Sequence, residues 1–198
     1  MRAFGRVAIL LVLSGCALTN KAEPFEVRAF SPELAEASAK AAPATQAPGA
    51  ELRLGRPRSS ANLRRHIVYR VSDVEVGEYP SWQWTENPEE YLRRAVASAL
   101  YDDRGLVQAV GGGHPVLDLE LTAFEEVRRG AARLGRVRVS FVLRDDQHVL
   151  DSGEVTVEKP ASSGEIDAVV LAISDALRDA TDQVGDRVAA KLVKPATP

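Results

Sequence analysis

From Leu52 to Val157 the apolar positions fall mainly on every second residue. Leu52 and Leu54 flank Arg53. Ile67, Tyr69 and Val71 share one side of a run whose other side carries His66, Val68 and Arg70. Val74 and Val76 alternate with Glu75 before Gly77-Glu78-Tyr79-Pro80. Period two over short runs bounded by Gly and Pro predicts strands with one buried face. Three longer runs follow. Leu117, Leu119 and Leu121 alternate with Asp118, Glu120 and Thr122. Val137, Val139, Phe141 and Leu143 alternate with Arg136, Arg138 and Ser140. Val155 and Val157 alternate with Glu154, Thr156 and Glu158. Turn chemistry separates these runs at 129–134 and 145–147, which predicts an antiparallel meander with one apolar and one solvated face. Phe25, Val27 and Ala29 suggest a first short strand. Residues 106–110 suggest another, closed by Gly111-Gly112-Gly113-His114-Pro115.

Two segments change to helical spacing. Asn87-Pro88-Glu89-Glu90 combines a capping residue, a proline for the first helical position and two carboxylates for the positive end of the dipole. Leu92, Val96, Ala99 and Leu100 then recur at three- and four-residue intervals, so a helix is expected over about 88–102. From 164 to 192, Ile166, Val170, Ile173, Leu177, Ala180, Val184 and Val188 mark one long amphipathic helix, about 40 Å at 1.5 Å per residue, with Gly185 a place to bend. One-sided helices and a one-sided sheet need each other. The expected fold class is α+β, an antiparallel sheet with a C-terminal three-strand meander packed by two helices.

The N-terminus has a different pattern. Arg2 and Arg6 precede an apolar run from Val7 to Leu13, too short to span a bilayer, and Cys16 is the only cysteine. Leu13-Ser14-Gly15-Cys16 resembles the lipobox of bacterial lipoproteins. That resemblance implies a diacylglyceryl thioether on Cys16, acyl chains such as palmitate, and cleavage that makes Cys16 the first residue. The expected division is a signal peptide at 1–15, a lipidated tether at 16–23 and a single domain at 24–192. An Ala/Pro-rich flexible loop at 31–50 and a tail at 193–198 complete it. Ala17 after the cysteine favours the outer membrane by the enterobacterial sorting rule, with the inner membrane as the other possibility.

Composition narrows the chemistry. Removing Arg2 and Arg6 from 25 basic residues leaves 23 against 28 acidic ones, so nothing points to nucleic acid as a partner. The three histidines, His66, His114 and His148, lie on separate elements without metal-ligand spacing. No Gly-x-Ser-x-Gly elbow occurs, and the glycine run at 111–113 lacks the Lys-Ser/Thr of a phosphate loop. No catalytic residue, metal or cofactor is expected. Arg128, Arg129, Arg133, Arg136 and Arg138 form the densest basic cluster. They suit either an anion or acidic partner, or pairing on the outer sheet face with Glu125, Glu126, Glu154 or Glu158. Trp82 and Trp84 precede the first helix. Trp84 is expected under the helix start, while Trp82 extends the core or, with Tyr79, presents an interaction surface.

The succession of lipobox, short strand, Arg-rich lead into Ile67-Val68-Tyr69-Arg70, Trp84-Thr85-Glu86-Asn87-Pro88, Leu121-Thr122-Ala123-Phe124-Glu125 and a closing Ala/Val-rich helix resembles the ABC-type transport auxiliary lipoproteins. These include the lipoprotein of the paraquat-inducible MCE system. The resemblance implies a non-catalytic lipoprotein of the Gram-negative envelope, anchored in the membrane by lipid and facing the periplasm. Its partners would be an MCE-domain substrate-binding protein, an ABC permease and an ATPase that move lipids or other hydrophobic molecules. A homo-oligomeric ring is a further implication. An envelope scaffold, such as an activator of cell-wall synthesis, is the alternative for a small α+β domain with an Ala/Pro-rich segment.

Overall fold

The computed structural model describes residues 26–32 and 49–192. Cys16, the signal peptide, the tether, most of the Ala/Pro-rich loop and the tail lie outside the described residues. The strands are β1 (Arg28–Phe30), β2 (Glu51–Leu54), β3 (Arg58–Ser59), β4 (His66–Arg70), β5 (Val76–Trp84), β6 (Val107–Gln108), β7 (Val116–Arg129), β8 (Ala132–Arg144) and β9 (Val149–Pro160). Helix α1 covers Pro88–Ala97 and continues into one π turn at Ser98–Asp102; α2 covers Ile166–Leu192. Both helices therefore stand where helical spacing placed them.

The meander is antiparallel, β7 against β8 and β8 against β9, with Leu119 opposite Phe141 and Val137 opposite Val157. The rest of the sheet corrects the purely antiparallel expectation, because the nine described strands form a mixed sheet. The other edge of β7 is shared in turn by β2, β3 and β4, all parallel to it: Arg53 lies opposite Val116, Arg58 opposite Glu120, and Val68 opposite Glu125. Residues 51–70 thus run along β7 as one interrupted strand, broken around Gly55–Pro57 and Ser60–Arg65. Alternation records which face a side chain takes but not the direction of the neighbouring strand. Strand β5 is antiparallel to β4, β1 is parallel to β5, and β6 is parallel to β2. Among the described strands, β9 pairs only with β8.

Both helices cover one face. Leu117, Leu119, Leu121 and Phe124 of β7 meet Val137, Val139, Phe141 and Leu143 of β8 in a single buried cluster. Ile173, Leu177, Ala180, Val184 and Val188 of α2 close it from above. Fully burying a side chain of this kind contributes about 1.5–3 kcal/mol, which is why the long helix stays on the sheet. Trp84 is fully buried under the start of α1, its ring 5.0 Å from Phe124 and 6.3 Å from Tyr91. At Gly135 the backbone of α2 approaches so closely that a Cβ would collide with the main chain of Ala172 and Ile173. Gly130, at φ 60°, turns β7 into β8.

One irregularity positions everything that follows. The β7–β8 register shifts between Leu121 and Ala123. Before the bulge, odd-numbered residues of β7 face the helices; after it, Phe124, Glu126 and Arg128 do.

Candidate interaction surface: two arginine–glutamate networks

Alternation sets the adjacent carboxylates Glu125 and Glu126 on opposite faces of β7, and the bulge before them gives Glu126 the helix side. They are 1% and 0% exposed. A carboxylate removed from water survives as an ion only when paired and hydrogen-bonded. Each one here is. No buried side-chain nitrogen or oxygen among the described residues lacks a hydrogen-bond partner.

On the helix side, Glu126 receives Arg128 at 3.2 Å and Arg133 at 3.0 Å, and the Tyr79 hydroxyl donates to its Oε2. Arg128 Nη2 in turn donates to the Tyr79 oxygen, and its guanidinium lies 3.8 Å above the Tyr69 ring. The Tyr79 ring lies 4.2 Å from Trp82 and 5.0 Å from Tyr69, tilted by 40° and 59°. Burial, reinforced by the hydrogen bond to Glu126, pushes the Tyr79 phenol up to about 12. Burial works against the Arg128 charge, but hydrogen bonds to Tyr79 and Glu126 outweigh it and hold its pKa above the usual value.

On the outer face, Glu125 receives Arg70 at 2.8 Å and Arg136 at 3.4 Å. The same Arg136 reaches Glu158 at 2.7 Å, and Arg129 meets Glu158 at 2.9 Å. The hydrogen bond that Arg70 donates to Glu125 raises the Arg70 pKa. Burial opposes ionisation of Glu158, yet the hydrogen bonds from Arg136 and then Arg129 keep its carboxyl below the usual range. Arg138 stands apart, 3.5 Å from Glu154 and donating to Thr156.

The five clustered arginines are therefore ion-paired, and the outer-face placement is corrected for two of them. Arg128 and Arg133 pair with Glu126 on the helix side, whereas Arg129, Arg136 and Arg138 lie outside. Two guanidinium groups share one carboxylate in the inner network; in the outer one three share two, with the Asp73 charge also acting on Arg70. Tyr79 and Trp82, for which both a core and a surface placement were open, form a half-buried tilted pair packed against the core and joined to the inner network. Sequence reading missed Tyr69 and the burial of the two glutamates. The signal was the change of parity of the apolar positions, from Leu117, Leu119 and Leu121 to Phe124.

Elsewhere, an open cleft of about 510 Å³ beside the start of α1 is lined by Ser59, Arg64, Arg65, His66, Asn87 and Glu89. The Ser59 hydroxyl donates to Glu89 at 2.8 Å, while His66 Nδ1 lies 3.2 Å from the Tyr79 carbonyl. Among the described residues, no three His, Cys, Asp or Glu side chains converge as a metal site. No described helix is long and apolar enough to cross a membrane.

No curated protein matches the chain. Among solved structures, protein XCC0632 of Xanthomonas campestris is similar, with a TM-score of 0.66 and 21% identity over 72% of this chain and 85% of that one. An uncharacterized protein has a TM-score of 0.62 and 16% identity over 70% and 92% of the two chains. A hypothetical protein of Chlamydia trachomatis follows at 0.53, with 8% identity over 73% and 98%. At such identities the likeness is one of fold. The family model described as "ABC-type transport auxiliary lipoprotein component" matches residues 33–185, nearly the whole domain. The chain accordingly belongs to the family of ABC-type transport auxiliary lipoproteins.

Proposed function

We propose that this protein is a non-catalytic lipoprotein that docks an MCE-type transport system at a membrane of the Gram-negative envelope. The observation that carries this reading is the family match over residues 33–185, whose description makes its members auxiliary components of ABC-type transport. In this reading Cys16 bears the acyl chains and the domain faces the periplasm, with Ala17 favouring the outer membrane. An ABC ATPase and its permease supply the work, and an MCE-domain protein carries lipids or other hydrophobic molecules. The lipoprotein holds one end of that conduit, alone or as a ring of identical copies.

Two features of the domain support docking as its mode of action. The inner arginine–glutamate network sets two guanidinium groups on one carboxylate, which suits an acidic partner surface. Tyr79 and Trp82, half-buried beside Arg128 and Arg133, present aromatic area of the kind that anchors interfaces. Arg129, Arg136 and Arg138 would serve the opposite face.

The test is mild crosslinking in membranes followed by purification of the acylated protein. Recovery of an MCE protein, permease and ATPase is the expected result. Recovery of cell-wall synthases in their place would overturn it in favour of an envelope scaffold. Changing Trp82 to Ala, with folding verified, should weaken recovery of the transporter; unchanged recovery would remove Trp82 from the docking surface.

A further inference from the structure

Three parts of the chain meet at one end of the sheet, and β1 is entered from that direction. Arg70 lies opposite both Val76 and Val127, so the β4–β5 tip at 71–75 stands beside the β7–β8 turn, where Arg129 faces Ala132. Leu134 pairs with Pro160, which brings the connection from β9 to α2 to the same end. Strand β1 runs parallel to β5 with Arg28 beside Trp82, so the chain preceding Arg28 heads back toward Val76. Arg28 also meets Asp167 of the first turn of α2 at 3.3 Å.

The β4–β5 tip is apolar and turned outward. Val71, Val74 and Val76 are 44%, 94% and 41% exposed. The tip does not depend on its valines for shape. Val71 N–H donates to the Glu75 carbonyl at 3.0 Å, and Glu75 N–H donates to Ser72 Oγ at 3.1 Å. Arg70 reaches over to the Asp73 carbonyl at 3.3 Å. A firm turn that holds an aliphatic side chain in water is a preformed contact.

We propose that this end of the domain rests on the bilayer that holds the acyl chains, with Val74 seated among the lipid headgroups and Val71 and Val76 at the water boundary. The inference rests on the reading of Cys16 as the lipidated residue. Ten residues, Cys16 to Phe25, separate the anchor from the described chain, a reach of at most about 35 Å. The described chain enters β1 from the direction of this end, so a short tether would keep the tip at high effective concentration near the membrane, and a weak insertion suffices. Three valines flanked by charged residues offer little of the roughly 1,000 Å² that a stable protein interface needs, but they suit shallow insertion. Asp73 and Glu75 flank Val74, and the Asp73 charge acts on Arg70, so the tip carries no cationic excess that would call for anionic lipid.

The acylated protein allows a direct test, because Cys16 is the only cysteine and its sulfur is consumed in the thioether. Val74→Cys and, as a control, Val110→Cys each provide one reactive thiol. Val110 is 91% exposed and lies in the segment leading into β7, at the opposite end of the sheet. Each is labelled with an environment-sensitive dye and placed in phosphatidylethanolamine–phosphatidylglycerol vesicles with or without doxyl-labelled lipid. At a depth of 5–10 Å the dye at position 74 should shift to the blue and be quenched about twofold or more, while position 110 keeps the emission seen in water. A water-like signal at 74, or equal signals at both positions, overturns the proposal. A blue shift at 74 that doxyl lipids do not quench also overturns it, assigning the tip to a protein. Flotation separates the underlying reading. If the protein fails to float with vesicles, or Cys16 itself takes the dye, the lipidation of Cys16 falls and the proposal falls with it.

Discussion

Removing the Glu126 carboxylate is the most demanding test of the inner network. Glu126→Ala takes an ionised acceptor from three donors at once: Arg128 at 3.2 Å, Arg133 at 3.0 Å and the Tyr79 hydroxyl. Breaking a fully buried ion pair from one side costs about 3–5 kcal/mol, because the remaining charge loses its only compensation. The two arginines are about a quarter exposed, so water recovers part of that loss and about 2–4 kcal/mol is expected. Glu126→Gln keeps an oxygen for Tyr79 but offers its amide NH₂ to cationic donors, so it should recover only a fraction. Glu154→Ala is the control: its pair with Arg138, at 3.5 Å, is largely solvated and contributes about 0–0.5 kcal/mol. Urea unfolding followed by circular dichroism measures all three variants. In a domain of this size a loss of about 3 kcal/mol lowers Tm by about 6–12 °C. If Glu126→Ala proves no more harmful than Glu154→Ala, the inner network does not contribute as its geometry implies. A double-mutant cycle with Arg133→Ala would then locate the error.

Gly135→Ala should cost about 1–3 kcal/mol, since the new methyl meets the backbone of α2. Gly153→Ala meets only the guanidinium of Arg187, a side-chain end that can give up its contacts with Asp151 and Ser152, so it should cost less than Gly135→Ala, and equal losses would contradict the close approach of helix to sheet. The Tyr79 phenol, raised to about 12, binds its proton more tightly folded than unfolded. Its contribution is therefore complete below pH 10 and is lost as pH rises from 10 through 12. Absorbance at 295 nm should show one fewer late-titrating phenol in Tyr79→Phe than in the native protein, and an unaltered alkaline limb would refute the assignment.

The meander and both helices were legible because each has a one-sided pattern that only one periodicity explains. Val137 to Leu143 admits no helical reading, and Ile166 to Val188 admits no strand. Strand direction was not legible. Arg53, Arg58 and Val68 take parallel partners on β7 through backbone bonds that leave no mark on side-chain alternation. The candidate surface was half legible. The arginines declared themselves by density, and several of their carboxylate partners were identifiable, but both sets were placed on a single face. The reason is the bulge near Thr122: one extra residue exchanges the faces of everything C-terminal to it, so Glu126 and Arg128 turn inward.

The shared edge of β7 also orders assembly in time. Strands β7, β8, β9 and α2 follow one another in the chain and close only short loops. Strands β2 and β3 come earlier, yet their pairing surface is supplied by Val116–Leu121, some sixty residues later. The β4–β5 hairpin can close by itself but joins the sheet only through Glu125–Val127. The N-terminal strands therefore depend on an edge that the C-terminal half supplies. Until Val116–Val127 has emerged, the strands that come first lack the β7 edge on which they settle.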